Sequence, residues 1–272
     1  GAAGSAGPAG APTHLLVAGG MSGSNYKDTV DAFDVSLTRT TPTVLSTGRG
    51  GLAAARAGSY LLFAGGRVSS TTITDVVDAY DTALTRTTPD VLPAVRYQLG
   101  GASAGNYAIF AGGSNSTSGN AYATATAYSS ALVRSSISNL SAGAYELTAG
   151  SIGEYAVFGG GVSGTSYRTQ VSSYNATLTK LAVSGFTTAR AQLVACETEG
   201  YLVFAGGATA STTGSNAADA YDGTLTKVTV DNLNTARRQL AAASVSNYII
   251  FAGGRTGSAS STTSATEAYT VI

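Results

Sequence analysis

Tryptophan is absent from the 272 residues, and cysteine, histidine and methionine occur once each. A single cysteine, Cys196, excludes an intrachain disulfide and any multi-cysteine metal site. Set inside an apolar run, it reads as a small buried hydrophobe. Charge is also scarce. Lys, Arg, Asp and Glu make up 11% of the chain and balance at 15 basic against 15 acidic residues. A nucleic-acid partner is therefore not expected, because phosphate contacts dominate such binding and call for a basic excess. No apolar run approaches the roughly 20 residues that span a bilayer, so no membrane insertion is expected. The N-terminus lacks the basic region and apolar stretch of a secretory leader. Glycine is abundant at 35 residues, but 43% of residues are hydrophobic. Their regular spacing argues for a packed domain over a disordered one.

That spacing is a repeat of about 47 residues. A short apolar run closed by a glycine pair occurs six times: His14–Gly20, Tyr60–Gly66, Tyr107–Gly113, Tyr155–Gly161, Tyr201–Gly207 and Tyr248–Gly254. Each reads as a buried strand ending in a tight turn. An aromatic follows at near-constant distance: Phe33, Tyr80, Tyr128, Tyr174, Tyr221 and Tyr269. Next comes Leu-Thr-Arg/Lys at Leu37, Leu84, Leu178 and Leu225, with Leu132-Val-Arg134 as the variant. Small or Asx residues between these two elements suit a hairpin turn, with Asp34, Asp81 and Asp222 capping backbone N–H groups. The fourth element runs Arg49-x-x-Leu52, Arg96-x-x-Leu99, Ala144-x-x-Leu147, Arg190-x-x-Leu193 and Arg237-x-x-Leu240. Small residues follow each Leu, so this strand belongs innermost, where strands crowd an axis.

Four strands per repeat, arranged radially, predict an all-β, six-bladed β-propeller over residues 13–272. The Gly-Gly strand followed by the aromatic strand resembles the kelch repeat. The resemblance covers about residues 13–272, although the family's later Trp is missing and the five leucines stand in that layer. The Tyr-Asp-x-x-Leu-Thr-Arg wording resembles kelch-like repeats of bacterial and phage surface proteins. With strands labelled a (inner) to d (outer), two are unaccounted for: a of the first blade and d of the last. Residues 1–12 place Gly at every third position, the collagen period. They read as a linker, as the end of a collagen-like stalk that would make a homotrimer, or as an irregular inner strand.

Loops b–c and d–a share one face, and loops on a rigid scaffold usually carry function. Candidate ligand-binding residues there are Tyr26, Tyr122 and Tyr167, whose rings could stack on a sugar or pack on neighbouring loops. Arg49, Arg96, Arg190 and Arg237 begin inner strands, and Arg67 and Arg255 follow a Gly-Gly, with Arg238 beside them. Such arginines would either hold a carboxylate, sulfate or phosphate or brace the blades by pairing with Asp31, Asp78, Asp219 and Glu267.

Catalysis is not expected. One histidine cannot supply the ligand set of kelch-type copper oxidases, and nothing marks a Ser-His-Asp arrangement or a metal cluster. Sialidase-type propellers carry a turn motif containing Trp. Glu146, Glu154, Glu197 and Glu199 read as lying by the a–b turns, on the opposite face from the candidate site. No cofactor is expected. The leading expectation is a non-catalytic extracellular or virion-surface module, such as a tail-fibre or adhesin-like head, recognising a cell-surface glycan or protein. The alternatives are an adaptor binding acidic peptides through an Arg-rich rim and a purely architectural virion or filament subunit.

Overall fold

The computed structural model describes residues 13–116, 119–257 and 261–270. The readings of residues 1–12 as linker, stalk or strand lie outside the described residues. Within them the chain is all-β, with six small antiparallel sheets arranged as a six-bladed β-propeller. Blade 1 holds strands b, c and d at His14–Ala18, Val30–Asp34 and Arg39–Thr40. Blades 2 to 5 have all four strands. Their a strands are Ala53–Ala57, Gly100–Ala104, Thr148–Ile152 and Val194–Thr198, each hairpinned to the b strand that starts three residues later. Blade 6 holds a, b and c at Ala241–Val245, Tyr248–Ala252 and Thr266–Thr270. Among the described residues, the first blade thus has no a strand and the last no d strand.

The glycine pair is a clasp between blades. The second glycine's N–H donates to the carbonyl that opens the next inner strand: Gly20 to Arg49, Gly66 to Arg96, Gly113 to Ala144, Gly161 to Arg190 and Gly207 to Arg237. The first glycine is left-handed and pressed on the same carbonyl. At Gly206, φ is +66° and a Cβ would lie 2.7 Å from the Arg237 oxygen. Only glycine meets both demands without strain.

Blade packing follows from the apolar pattern. In blades 2 to 6 a b-strand Phe meets the c-strand Tyr edge to face, with ring centroids 5.5–6.0 Å apart. This ridge enters the Ala, Leu and Val face of the preceding blade, as Phe110 and Tyr128 do against Ala55, Leu62 and Ala79. Each tyrosine also reaches back a blade. The hydroxyls of Tyr80, Tyr128, Tyr174, Tyr221 and Tyr269 donate to linker carbonyls of Thr43, Asp90, Ser138, Ser184 and Asn232. Phe33 is the one member of the series without a hydroxyl, and blade 1 follows no earlier described linker.

The seam between blades 6 and 1 is uncovered by the described residues. Leu15 and Val17 of blade 1 are 46% and 45% exposed. On the facing side of blade 6, Ala241, Ala243, Ile250 and Ala268 are exposed, where blade 2 buries Ala53, Ala55, Leu62 and Ala79. A groove of about 260 Å³ lies beside His14–Leu16, where other blades place strand a.

The c–d turns hold an unexpected element. Leu37, Leu84, Leu132, Leu178 and Leu225 all have φ between 59° and 64°. Leucine is disfavoured there. Each turn is held by a side-chain cap, as when Asp222 Oδ1 accepts from the N–H groups of Thr224 and Thr226.

Candidate functional site

The inner strands surround a channel of about 590 Å³ lined mainly by Ala, Gly and Ser. Half-buried Cys196 lies on its wall, and burial pushes that thiol's pKa up, away from reactivity. Just before the inner strands, on the b–c loop face, runs one sequence column: Gly51, Gln98, Glu146, Gln192 and Gln239. Each lies two residues after the inner-strand Arg position. Gln98 N donates to Gly51 O, Glu146 N to Gln98 O, Gln192 N to Glu146 O, and Gln239 N to Gln192 O. The backbone thereby winds blade to blade around the mouth. The four non-glycine members have φ of 54–55°, a conformation L-residues rarely adopt and one often found at working sites.

The side chains form a second tier. Gln98 Nε2 donates to Glu146 Oε1 at 3.0 Å, and Gln192 Nε2 donates to Oε2 at 2.9 Å. Arg238 Nη1 donates to Gln192 Oε1 at 3.1 Å, which fixes that amide's orientation. Tyr97, Tyr145 and Tyr167 surround this relay, and the Arg67 guanidinium lies over the Tyr97 ring, 5.3 Å from its centroid. Burial raises all three phenol pKa values, and the Glu146 charge raises them further, while Arg67 opposes the rise at Tyr97 and Arg238 at Tyr167. Glu146 therefore belongs to the d–a end of blade 4, on the loop face. The sequence expectation that placed it by the a–b turns is wrong, because the inner strand begins at Thr148 and Glu146 precedes it. Glu154 and Glu199 do sit at those turns.

The predicted arginines divide. Arg49, Arg190 and Arg237 are buried and paired with Asp78, Asp219 and Glu267 of their own blades. Arg49 also donates to the carbonyls of Thr47 and Phe63, strapping the entering linker to strands b and c. Asp31 pairs instead with Arg39, since blade 1 has no described inner strand. Arg96 is 1% exposed, and in its blade Thr126 stands at the sequence position that holds the acid in the others. It donates to carbonyls of Ala94, Gly112 and Thr124 and lies over the Tyr122 ring at 4.7 Å. Burial pulls its pKa below the usual value. Tyr122 is thus a packing partner of Arg96. Arg67 and Arg255 do reach the loop face, each bridged to an inner-strand start, at Gly50 and Arg238 respectively. Tyr26 and Tyr167 lie in small hairpins that extend the b–c loops of blades 1 and 4, at Met21–Ser22 with Asn25–Tyr26 and at Val162–Ser163 with Ser166–Tyr167. Of the three predicted tyrosines, Tyr167 comes to the mouth.

The Gln98, Glu146 and Gln192 column escaped the sequence reading. The signal was available, since alignment on the inner Arg makes it a polar column between apolar ones. No group of three or more His, Cys, Asp or Glu able to hold a metal occurs among the described residues.

No family model matches the chain, and no curated protein matches it. Solved structures do match. YjhT aligns with a TM-score of 0.73 over 97% of this chain and 94% of that one, at 14% sequence identity. A likeness at that identity speaks for architecture alone, and what it shows is that this chain takes a six-bladed β-propeller fold.

Proposed function

We propose that the chain is a non-catalytic, kelch-type recognition module whose channel mouth on the b–c loop face binds a glycan. The observation that supports this reading is the relay of Gln98, Glu146, Gln192 and Arg238 ringed by Tyr97, Tyr145 and Tyr167. Amides and a carboxylate match the paired hydroxyls of a sugar, and a tyrosine ring supplies an apolar face with a polar edge. The site stands on inner strands held blade to blade, so little order has to be gained on binding. Glycoside hydrolysis calls for two carboxyl groups, and the described residues bring no second one into the Glu146 network. The Ser/Thr-rich loops, low charge and lone cysteine favour a place on an extracellular or virion surface.

A second reading rests on a separate observation. Arg67, Arg168 and Arg255 lie on this face with no carboxylate partner among the described residues, which would suit an acidic peptide. A glycan array separates the two. Binding by the native chain that is lost in Tyr167→Ala and Glu146→Gln, yet kept in Tyr26→Ala, supports the glycan site. Glycan binding that ignores both mouth changes refutes it. Acidic-peptide binding lost in the Arg67→Ala/Arg255→Ala double variant would favour the adaptor.

A further inference from the structure

Three arginines of the b–c loop face, Arg67, Arg168 and Arg255, have neither a carboxylate partner nor a side-chain hydrogen bond among the described residues. All three are half-buried. Arg168 Nε is shut off from solvent with no acceptor. Their backbones are fixed to the starts of inner strands. Arg67 is bridged to Gly50, Arg255 is bridged to Arg238, and the Arg168 carbonyl accepts from Arg190 N–H. They belong to blades 2, 4 and 6, so in a six-bladed ring they stand about a third of a turn apart.

A half-buried guanidinium gives up hydration that an acceptor normally replaces. Three of them without acceptors suit anions supplied from outside, and the planar fork matches a carboxylate or a sulfate. We propose that the glycan bound at this face is polyanionic, with carboxylate or sulfate groups on more than one sugar unit reaching separate arginines. The inference rests on the glycan reading above and narrows it. The sugar hydroxyls between the charges meet Gln98, Glu146 and Gln192, whose amides already engage both Glu146 oxygens. An anion placed on Glu146 itself would be repelled, so the charged groups belong at the outer positions, where the arginines are. An acidic peptide would satisfy the arginines and leave the amides and tyrosine rings without hydroxyls to hold.

The test titrates the full chain with uronate and sulfated oligosaccharides, each beside its carboxyl-reduced or desulfated neutral counterpart, and with oligoglutamate. An acidic member should bind at least about tenfold more tightly than its neutral counterpart. Raising salt from roughly 50 to 500 mM should erode that preference. Arg168→Gln/Arg255→Gln should narrow it at least about threefold, whereas Arg39→Gln, on the outer circumference, should leave it unchanged. Uronate and sulfate arms show which anion is taken. Equal affinity within every pair, with binding still lost in Glu146→Gln, would overturn the proposal and leave the glycan reading standing. Absence of saturable binding by any glycan up to about 1 mM would refute that reading and the proposal with it. Oligoglutamate bound as tightly as the acidic glycans would overturn the proposal in favour of the adaptor. The salt series on the native chain stands even where a variant folds poorly.

Discussion

Blade 3 buries an inner arginine without the acid that neutralises its counterpart in blades 2, 5 and 6, and Thr126→Asp should correct this. Thr126 stands two residues before Tyr128 as Asp78 does before Tyr80, and Arg134 lies opposite Tyr128 as Arg86 lies opposite Tyr80. Thr126 is 1% exposed and close to Asp in size, so little repacking is required. At an effective dielectric of about 20, opposite charges ~3 Å apart attract by about 5 kcal/mol. Burying the new carboxylate costs several kcal/mol. The desolvation of Arg96 is already incurred in the native chain, however, and a second cation stands on the outer side. The net expectation is a gain of about 1–3 kcal/mol, or ~2–6 °C in Tm for a chain of this size. Urea unfolding followed by tyrosine fluorescence measures it. The mirror change Asp78→Thr strands Arg49 and should cost about 3–5 kcal/mol, the usual effect of breaking a buried pair. If Thr126→Asp is neutral or destabilising while Asp78→Thr costs under about 1 kcal/mol, the account of these arginines as charge-paired braces is wrong.

Three further changes test other parts of the architecture. Tyr221→Phe removes the bond to Ser184 and should cost about 1–2 kcal/mol, whereas Phe33→Tyr should stay within about 0.5 kcal/mol; equilibrium denaturation of both decides it. Gly206→Ala drives a Cβ onto the Arg237 carbonyl and should cost about 2–4 kcal/mol, while Gly253→Ala, whose nearest atom is 3.8 Å away, should incur only the left-handed penalty of about 1 kcal/mol. Equal thermal shifts for the two would mean that the seam is closed. At Glu267, burial pushes the carboxyl pKa up, but Asn234, Tyr269 and Arg237 prevail and hold it below the usual value. Its contribution is therefore present above the unfolded-state pKa near 4.3 and fades as pH falls through the lowered folded value. Stability measured at pH 6 and pH 3 should fall less in Glu267→Gln than in the native chain.

The architecture was legible because its signals are local and repeated. Gly-Gly pairs report a backbone that other residues strain to adopt, and the c-strand aromatics keep the register. The pairing of inner arginines with acids was also readable, as Asp78, Asp219 and Glu267 stand two residues before the aromatic. The mouth was not. Whether Gln98 or Glu146 faces the axis depends on a left-handed φ that glutamine and glutamate give no hint of adopting. Counting along the chain also put Glu146 at the wrong end of its strand. The five left-handed leucines escaped for the same reason, since their conformation is imposed by the capped turn and runs against leucine's own preference. Tyr122 stays open in the sequence between a ligand contact and loop packing, because its stacking on Arg96 joins a loop to an inner-strand start far from it in sequence.

The uncovered seam has a consequence for how the protein comes apart. Among the described residues, each sheet leans on its two neighbours, except that the terminal sheets lean on one, so order is lost as in a row of dominoes with two free ends. Amide protection should rise from blades 1 and 6 toward blades 3 and 4, and mild denaturant should release the ends before the middle gives way.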